Sequence, residues 1–348
     1  MKRPLTAGIA GYGVVGQRRH RVIDQNPLFQ TIAVSDTKLA NGYSPNGVKT
    51  FSSAEEMLDD DLDVLFVSLP NFLAPSITIK GLEKGCHVFC EKPPGRSVRD
   101  LLKVIDVAQN HPHQKLKYGF NHRYHNSVRD ALDLISSQTF GNIISLRGVY
   151  GKSSIISFES DWRTQRALAG GGILLDQGIH MVDMMRMFAG EFDVVHSIVT
   201  NDYWGHDVED NAYALMKTGS GVVASLHSSA TQWRHTFRLE IIFDSGLVEL
   251  SGILSGSKSY GQETISITER ADNLTLSEPQ IKKYYDDHSW KDEIDDFAKA
   301  IDNDLPILTG NAQDALNTMS LVERIYWADK DWRARFNLAF PPIQANTK

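Results

Sequence analysis

The chain has 348 residues, more than a single hydrophobic core usually supports, and this length predicts about two domains. Its 43 acidic residues outnumber its 36 basic ones and no basic run alternates with aromatic residues, which disfavours nucleic acid as a partner. With 41% hydrophobic residues the chain should fold, and no stretch has the roughly 20 apolar residues of a membrane helix, which disfavours a membrane partner.

From Leu5 to about Asn121, short apolar runs alternate with longer helix-like segments. The runs predict strands at Thr6 to Ala10, Thr31 to Ser35, Val64 to Ser68, His87 to Cys90 and Leu116 to Gly119. The segments between them predict helices at Val14 to Asp24, Ala54 to Leu58, Ala74 to Lys84 and Val98 to Asn110. Such alternation is typical of βα units, so this half is predicted to be a doubly wound α/β domain with a parallel sheet.

The first predicted strand ends in a glycine-rich turn, Gly11-Tyr12-Gly13-Val14-Val15-Gly16, which opens directly into a helix. These glycines allow a tight turn, a close approach of the backbone to a pyrophosphate and close packing of helix against strand. Asp36 follows the next strand, where its carboxylate can accept hydrogen bonds from an adenosine ribose. Its charge favours NAD, and Lys38 nearby keeps NADP possible. The alternative to a cofactor site is that the glycines are needed only for the positive φ angles of a turn, and that Asp36 is a solvated residue at the end of a strand.

Two more polar segments follow strands of this predicted sheet. They are Leu69-Pro70-Asn71 and Glu91-Lys92-Pro93-Pro94, and both are therefore expected at the carboxyl edge, where open α/β sheets bind ligands. Pro93 disfavours a helical conformation of Lys92 and so restricts where its ammonium group points. An ordinary turn and a solvated surface lysine are the alternatives.

Cys86 and Cys90 are the only cysteines and lie in a short apolar run, so we expect buried thiols. So few cysteines are typical of a reducing compartment, and the N-terminal segment lacks the pattern of a secretory signal, so the expected location is the cytoplasm. No second pair of cysteine or histidine completes a tetrahedral ligand set, so no metal is predicted.

After His122 the pattern changes. It predicts a helix to about Ser137, a strand from Asn142 to Tyr150 and a helix from Ile173 to Phe188. Strands spaced by turn residues then predict an antiparallel sheet, with members at Val194 to Thr200, Ala212 to Met216, Val222 to His227, Arg238 to Phe243 and Thr264 to Thr268. Helices around Trp290 to Ile301 and Ala315 to Trp327 close the chain. The predicted domains are residues 1–121 and 122–348, with the last helices free to pack back on the first domain.

Three glycines, Gly170 to Gly172, lead into the helix that carries Asp176, His180 and Asp183. At 3.6 residues per turn these three side chains share one face, with Asp176 and His180 about 6 Å apart along the axis. Consecutive glycines cost backbone entropy unless something approaches them closely. A carboxylate and an imidazole facing the same space indicate an acid/base site, and a capped helix with a hydrogen-bonded core histidine is the alternative.

Taken in order along the chain, these motifs resemble the Gfo/Idh/MocA family, named for glucose–fructose oxidoreductase and inositol dehydrogenase. The resemblance covers nearly the whole chain and includes the glycine turn, Leu69-Pro70-Asn71, Glu91-Lys92-Pro93, Gly119 to Tyr124, Trp162-Arg163, Gly170 to His180 and the helix around Tyr326. It implies an N-terminal Rossmann domain and a C-terminal α+β domain with a large open-faced, mostly antiparallel sheet. The exposed face of that sheet is expected to pack in homodimers or homotetramers.

The resemblance also implies a reaction and a site: hydride transfer between nicotinamide and a secondary hydroxyl or keto group of a sugar, inositol or nucleotide sugar. It makes Lys92 the catalytic lysine, His180 the acid/base and Asp176 the carboxylate that orients the substrate. The expected cofactor-binding residues are Gly11, Tyr12, Gly13, Val14, Val15, Gly16, Asp36, Leu69, Pro70, Asn71, Glu91, Lys92 and Asn121. The expected substrate-binding residues are Lys92, Asn121, Tyr124, Trp162, Arg163, Asp176 and His180.

The loop from Gly151 to Ala169, with Phe158, Trp162, Arg163 and Arg166, is expected to decide the substrate. Two other functions fit the same fold. One is an NAD-dependent glycosidase with no net redox change. The other is a non-catalytic dinucleotide-sensing regulator, against which the retention of Lys92, Asp176 and His180 argues.

Overall fold

The computed structural model describes residues 3–154, 161–255, 259–270 and 277–341, so the predicted loop residue Phe158 lies outside the described part. The chain forms two compact units. The first runs to Asn121 and also takes Leu168–Gly170 and Trp290–Asn317. The second comprises His122–Ala167, Gly171–Ser289 and the chain from Thr318 onward.

The first unit contains a seven-stranded sheet. Its strands are β1 Leu5–Ala10, β2 Phe29–Ser35, β3 Gly42–Tyr43, β4 Lys49–Phe51, β5 Val64–Val67, β6 His87–Glu91 and β7 Leu116–Gly119. Their spatial order is β3-β4-β2-β1-β5-β6-β7, and every neighbouring pair is parallel except β3 and β4. The predicted parallel sheet is confirmed, and only the short β3 and β4 were not predicted.

Helices Val14–Ile23, Ala54–Met57, Ala74–Glu83 and Val98–Asn110 connect these strands. The helix Val98–Asn110 has the predicted bounds because Ser97 caps it, accepting a hydrogen bond from the Asp100 backbone nitrogen at 3.2 Å. The later helix Ser289–Asp302 contributes Phe297 to the core of this unit. The Phe297 ring lies 5.6 Å from that of Phe89, centroid to centroid.

The second unit contains an eight-stranded sheet. Its strands are β8 Ile143–Ser153, β9 Phe192–Thr200, β10 Asn211–Thr218, β11 Val223–Gln232, β12 Thr236–Phe243, β13 Gly246–Ser251, β14 Glu263–Glu269 and β15 Gln280–Tyr284. Their order is β15-β14-β13-β12-β8-β11-β10-β9, and only the β8–β11 pair is parallel. The predicted mostly antiparallel sheet is confirmed, with β13 and β15 added.

The remaining helical segments are the 3₁₀ turns Asn121–Tyr124 and Trp162–Thr164, the π-helical turn Leu174–Gly178, and helices Asn126–Ser136, Arg166–Ala169, Ile179–Ala189, Ala312–Ala328 and Lys330–Arg335. The helix Ile179–Ala189 packs on β8 at Gly148, where an added Cβ would lie 2.4 Å from the Met185 side chain and 2.8 Å from the Met181 sulfur. The opposite face of the sheet exposes Ile198 and Leu215. Among the described residues, no helix is long and apolar enough to cross a membrane.

Candidate functional site

The glycine turn of the first unit leaves an open cradle at the start of the helix Val14–Ile23. Gly11 has a φ of +88°, and a Cβ there would lie 2.4 Å from the Ser68 carbonyl oxygen. A Cβ at Gly16 would lie 1.9 Å from the Gly11 carbonyl oxygen, whereas one at Gly13 would meet no protein atom within 4 Å. Gly11 and Gly16 therefore allow close packing, and Gly13 leaves room at the helix N-terminus for a phosphate group.

Asp36 lies directly beside this turn. One carboxylate oxygen accepts the Tyr12 backbone N–H at 3.0 Å and the other accepts the Lys38 backbone N–H at 3.0 Å. These bonds hold the negative charge of Asp36 at the turn. Val14, at the mouth of the cradle, is 80% exposed, so a bound nucleotide would cover this apolar side chain. The glycines, the carboxylate and the exposed valine therefore fit an adenine dinucleotide.

The segment Leu69-Pro70-Asn71 occupies the predicted edge of the parallel sheet. The Leu69 side chain would lie 3.2 Å from a Cβ at Gly11, so it borders the glycine turn. Asn71 is buried, and its amide nitrogen donates a hydrogen bond to the Ala169 carbonyl at 2.7 Å. The structure thus gives this amide a role in holding Leu168–Gly170 within the first unit.

A buried ion cluster anchors the segment that contains Lys92. Arg19, on the helix of the glycine turn, is 1% exposed, and its Nε and Nη2 donate to Glu91 at 2.5 Å and to Glu293 at 2.6 Å. Its guanidinium also stacks 4.2 Å from the Trp290 ring centroid. Because Glu91 directly precedes the half-buried Lys92, the cluster ties Lys92 to that helix. Sequence reasoning missed this role, because the partners are far apart along the chain.

Within the cluster one guanidinium binds both carboxylates, and Lys117 adds a further attraction at Glu293. Attraction by Glu91 and Glu293 outweighs burial at Arg19 and raises the pKa of its guanidinium. At Glu293 burial outweighs the attraction of the shared cation and raises the pKa of the carboxyl to about 7. Glu293 is therefore the member of the cluster that takes up a proton near neutral pH.

In the second unit, the buried Glu209 holds the turn that precedes Asp176. Its carboxylate accepts the backbone N–H groups of Gly172 at 2.7 Å and Leu174 at 2.9 Å, and the Tyr326 hydroxyl at 2.6 Å. An added Cβ at Gly171 would lie 2.2 Å from that hydroxyl, and one at Gly172 2.1 Å from the Glu209 carbonyl oxygen. The close approach expected at the glycines is thus made by the protein itself. No sequence pattern singles out Glu209.

The helix predicted from Ile173 to Phe188 is not uniform. A π-helical turn, Leu174–Gly178, contains Asp176, and the α-helix begins at Ile179, just before His180. The spacing of 3.6 residues per turn therefore does not hold across this segment, and π turns occur often at functional sites. Asp183, predicted to share a helix face with Asp176 and His180, is buried rather than open to a substrate. It is 1% exposed and forms a bidentate ion pair with Arg123, both distances being 2.7 Å.

Asp176 and His180 have different surroundings. Asp176 is about a quarter exposed, and its carboxylate pairs with the Lys152 ammonium of β8 at 3.0 Å. Next to it, the Gln177 amide donates to the Tyr260 hydroxyl at 2.5 Å. His180 is 4% exposed, and its ring stacks on that of His122. Sequence reasoning gave no role to Lys152 or His122, whose partners only the fold brings near.

The other predicted substrate residues lie in the two 3₁₀ turns Asn121–Tyr124 and Trp162–Thr164. Tyr124 is buried, with the Arg129 guanidinium 5.2 Å from its ring centroid. Arg163 stacks 4.4 Å from the Trp162 ring centroid and pairs with Asp161 at 3.1 Å. Asn121 is buried at the end of the first unit. Their binding roles stay predictions.

Both parts of the chain match models of one family. Residues 5–120 match the model described as oxidoreductase family, NAD-binding Rossmann fold. Residues 128–249 match the model described as the GFO/IDH/MocA C-terminal domain.

Several curated proteins are similar to the chain. It is 28% identical to levoglucosan dehydrogenase of Pseudarthrobacter phenanthrenivorans over 56% of this chain and 54% of that protein. It is 30% identical to 1,5-anhydro-D-fructose reductase of Ensifer adhaerens over 53% of this chain and 56% of that one. The matches thus span about half the length of these relatives. Inositol 2-dehydrogenase of Leifsonia xyli is 23% identical over 84% of this chain and 85% of its own.

Solved structures show the same fold. Myo-inositol 2-dehydrogenase from Lactobacillus plantarum superposes with a TM-score of 0.74 at 22% identity, covering 93% of this chain and 97% of that one. Levoglucosan dehydrogenase in complex with NADH gives 0.79 at 20% identity, covering 94% and 98%. The predicted fold class, a Rossmann domain with a second domain built on a mostly antiparallel sheet, is therefore confirmed.

Proposed function

Because the chain belongs to the Gfo/Idh/MocA oxidoreductase family, we propose that it is an NAD(P)-dependent dehydrogenase. Its substrate is a sugar, an inositol or a nucleotide sugar, of which it oxidises one secondary hydroxyl group or reduces the corresponding ketone. The observation that carries the proposal is the open cradle at Gly13, in a chain that also holds Asp176 in a π-helical turn and His180 at the start of the helix that follows it. Relatives named as dehydrogenases of levoglucosan, inositol and glucosides support the substrate class.

Three side chains perform the proposed chemistry. His180 takes the proton of the substrate hydroxyl as general base, and returns it in the reverse direction. The Lys92 ammonium donates a hydrogen bond to the same oxygen and stabilises the negative charge that develops there. Asp176, with its carboxylate steadied by Lys152 at 3.0 Å, accepts hydrogen bonds from a neighbouring hydroxyl. A bound nicotinamide would supply the hydride acceptor, or the hydride donor in the reverse direction.

We propose NAD as the preferred cofactor. The backbone N–H groups of Gly11 to Gly16 would hold the pyrophosphate, with Leu69, Pro70, Asn71, Glu91, Lys92 and Asn121 completing the predicted set. Asp36 would accept hydrogen bonds from the adenosine ribose and repel a 2′-phosphate. In an Asp36→Ala variant we expect NAD affinity to fall while NADP affinity is unchanged or rises. An unchanged preference, measured by titration with both reduced cofactors, would contradict the assignment.

One experiment tests the function and the substrate class together. A panel of myo-inositol, levoglucosan, D-glucose, glucose 6-phosphate, D-xylose and a nucleotide sugar is incubated with NAD or NADP, and absorbance of the reduced nicotinamide is followed. Stoichiometric formation of reduced cofactor is expected with at least one sugar. Release of an aglycone from a glucoside without net reduction would indicate the glycosidase instead.

The His180→Ala variant tests the assigned base. It should abolish turnover and leave the dissociation constant of NAD within about threefold of the original, because His180 is proposed to contact the substrate hydroxyl rather than the cofactor. Either retained activity or lost NAD binding would refute the role.

We also propose that the protein forms a homo-oligomer through the open face of the second sheet. Cross-strand neighbours on this face include Ile198 and Tyr213, which are 63% and 45% exposed, and Leu215 beside them is 53% exposed. A second copy of the same face would cover these apolar side chains. Light scattering should show a dimer or tetramer that Leu215→Arg dissociates, whereas the control Leu308→Arg, at an 81% exposed site in the first unit, should not. A monomeric parent protein would refute the proposal.

A reducing compartment, the cytoplasm, is the location that we propose. Its support is that Cys86 and Cys90, the two cysteines of the sequence, are both buried and unbridged. Recovery of the protein outside the cytoplasm on cell fractionation would contradict it.

A further inference from the structure

Two buried imidazole rings lie face to face in the second unit. The His122 and His180 ring centroids are 3.7 Å apart, and the ring planes differ by 13°. The two residues are 8% and 4% exposed. His122 belongs to the 3₁₀ turn that ends at Tyr124, and His180 to the first turn of the helix Ile179–Ala189. The ring of the proposed base is thus covered on one face by a second histidine.

The His122 ring is itself held on several sides. Its Nε2 lies 3.1 Å from the Tyr150 hydroxyl of β8, and its ring centroid is 5.3 Å from that of His125. Arg123, the next residue, grips Asp183 one turn beyond His180. The 3₁₀ turn therefore meets the helix twice, through a ring stack and through a bidentate ion pair. A ring fixed in this way can fix the plane of its neighbour.

The charged groups around the stack form opposite pairs. They are Lys152 with Asp176 and Arg123 with Asp183, and the Glu263 carboxylate lies 2.8 Å from the His125 ring nitrogen. Beside them are the hydroxyls of Tyr150 and Tyr260, whose pKa values burial raises, so both stay protonated. Two protonated imidazoles 3.7 Å apart would repel each other strongly in this buried setting. The stack therefore disfavours a state in which both rings carry a proton, and a general base must be neutral to act.

We propose that His122 is a positioning residue for His180: it fixes the plane of the His180 ring and keeps that ring available as a base. The inference rests on the proposed function, in which His180 takes the substrate proton. A small displacement of a catalytic group lowers the rate far more than it lowers binding, so loss of the stack acts mainly on kcat.

Three variants test this, measured with the sugar of the panel that has the highest kcat/KM. His122→Ala removes the stacking face, His122→Phe keeps an aromatic face without a second titratable ring, and His180→Ala removes the base. We expect His122→Ala to lower kcat by about 10- to 100-fold, with KM and the NAD dissociation constant within about threefold. His122→Phe should recover kcat to within about threefold.

A second readout needs no turnover. The His180 ring is followed by ¹⁵N NMR through a pH titration, with its signals assigned from the His180→Ala spectrum. In His122→Phe, His180 should gain its proton at higher pH than in the parent protein, because the competing ring is gone. A merely structural residue would not produce that shift. Circular dichroism checks that each variant folds.

The outcomes separate the two proposals. A fully active His180→Ala refutes the proposed base and with it this inference. An inactive His180→Ala, together with a His122→Ala variant whose kcat is within twofold of the parent, refutes the inference and leaves the base intact. An unshifted titration of His180 in His122→Phe also overturns it, as does a folded His122→Phe that is as slow as His122→Ala.

Discussion

Glu293→Gln probes the buried cluster that anchors the Lys92 segment. Glu293 is fully buried, and burial raises its carboxyl pKa from the ordinary 4.5 to about 7. The folded state therefore binds a proton there more tightly than the unfolded chain does. The stability associated with that proton is fully present below about pH 4.5, and it is lost as the pH rises through about 7.

A rise in pKa from 4.5 to about 7 corresponds to about 3 kcal/mol of unfolding free energy, most of which is lost between about pH 5 and pH 8. Glutamine keeps the shape of the side chain and an oxygen to accept from Arg19, but it does not ionise. The unfolding free energy of Glu293→Gln minus that of the parent protein should therefore increase by about 2 to 3 kcal/mol over this interval.

Urea unfolding is carried out at about pH 5 and pH 8 and monitored through exchange of the amide hydrogens of β1 and β5. This readout measures the unfolding free energy of the first unit alone. Glu55→Gln is the matched control. Glu55 is exposed, and its hydrogen bond to Lys80 lowers its carboxyl pKa, so its contribution is already complete at the lower pH. A stability difference for Glu293→Gln that stays constant, or that falls with rising pH, would refute the charge balance argued for Arg19.

Three further predictions concern the glycine turn, the two cysteines and Glu209. Gly13→Ala should weaken NAD binding at least tenfold, measured by calorimetry, and leave the melting temperature unchanged. Gly16→Ala should lower both the NAD affinity and the melting temperature, because its Cβ would lie 1.9 Å from a backbone oxygen. Burial raises the thiol pKa of Cys86 to about 11 and that of Cys90 to about 12. Iodoacetamide at about pH 8 should therefore label neither thiol until urea unfolds the protein, and mass spectrometry measures the labelling. Glu209→Gln should cost about 1.5 to 3 kcal/mol in chemical denaturation, because an amide N–H would face a backbone N–H; full stability would contradict this.

Much of the fold could be predicted because it depends on local patterns. β5 and most of β6 are buried, so they read as continuous apolar runs between turns, and the helix Val98–Asn110 has a serine cap at its start. The strands that were not predicted are mostly short or exposed. β3 has two residues and both are exposed, and β15 buries only its last residue, so neither shows an alternating pattern.

The π turn at Asp176 could not be predicted for a different reason. Over five residues, apolar periodicities of an α-helix and a π-helix are indistinguishable, and the choice depends on packing. Gly178 shows the constraint: an added Cβ there would lie 2.5 Å from the Ser228 hydroxyl of β11. That contact joins residues 50 positions apart, and nothing near Gly178 in the sequence announces it.

The candidate site also consists of residues that the sequence predicts and residues that only the fold reveals. Its motifs are short and continuous, so Gly11 to Gly16, Lys92 and His180 could be found by reading along the chain. The residues that hold them are distant in sequence, as Arg19 is from Glu293, which lies 274 positions away. A lone arginine in a helix and a lone glutamate near the C-terminus carry no signal of their partnership until the fold makes both inaccessible to water.

Each predicted catalytic residue lies close in sequence to a segment that a largely buried carboxylate holds in place. Glu91, bound to Arg19, directly precedes Lys92, and Glu209 holds the turn that leads to Asp176. Asp183, locked to Arg123, follows His180 by one turn. Burying an ion pair contributes little net stability compared with an apolar pair of the same size. What these three carboxylates provide is directional hydrogen bonding that an apolar contact lacks, and fixed geometry is what a base, a hydrogen-bond donor and an orienting carboxylate require.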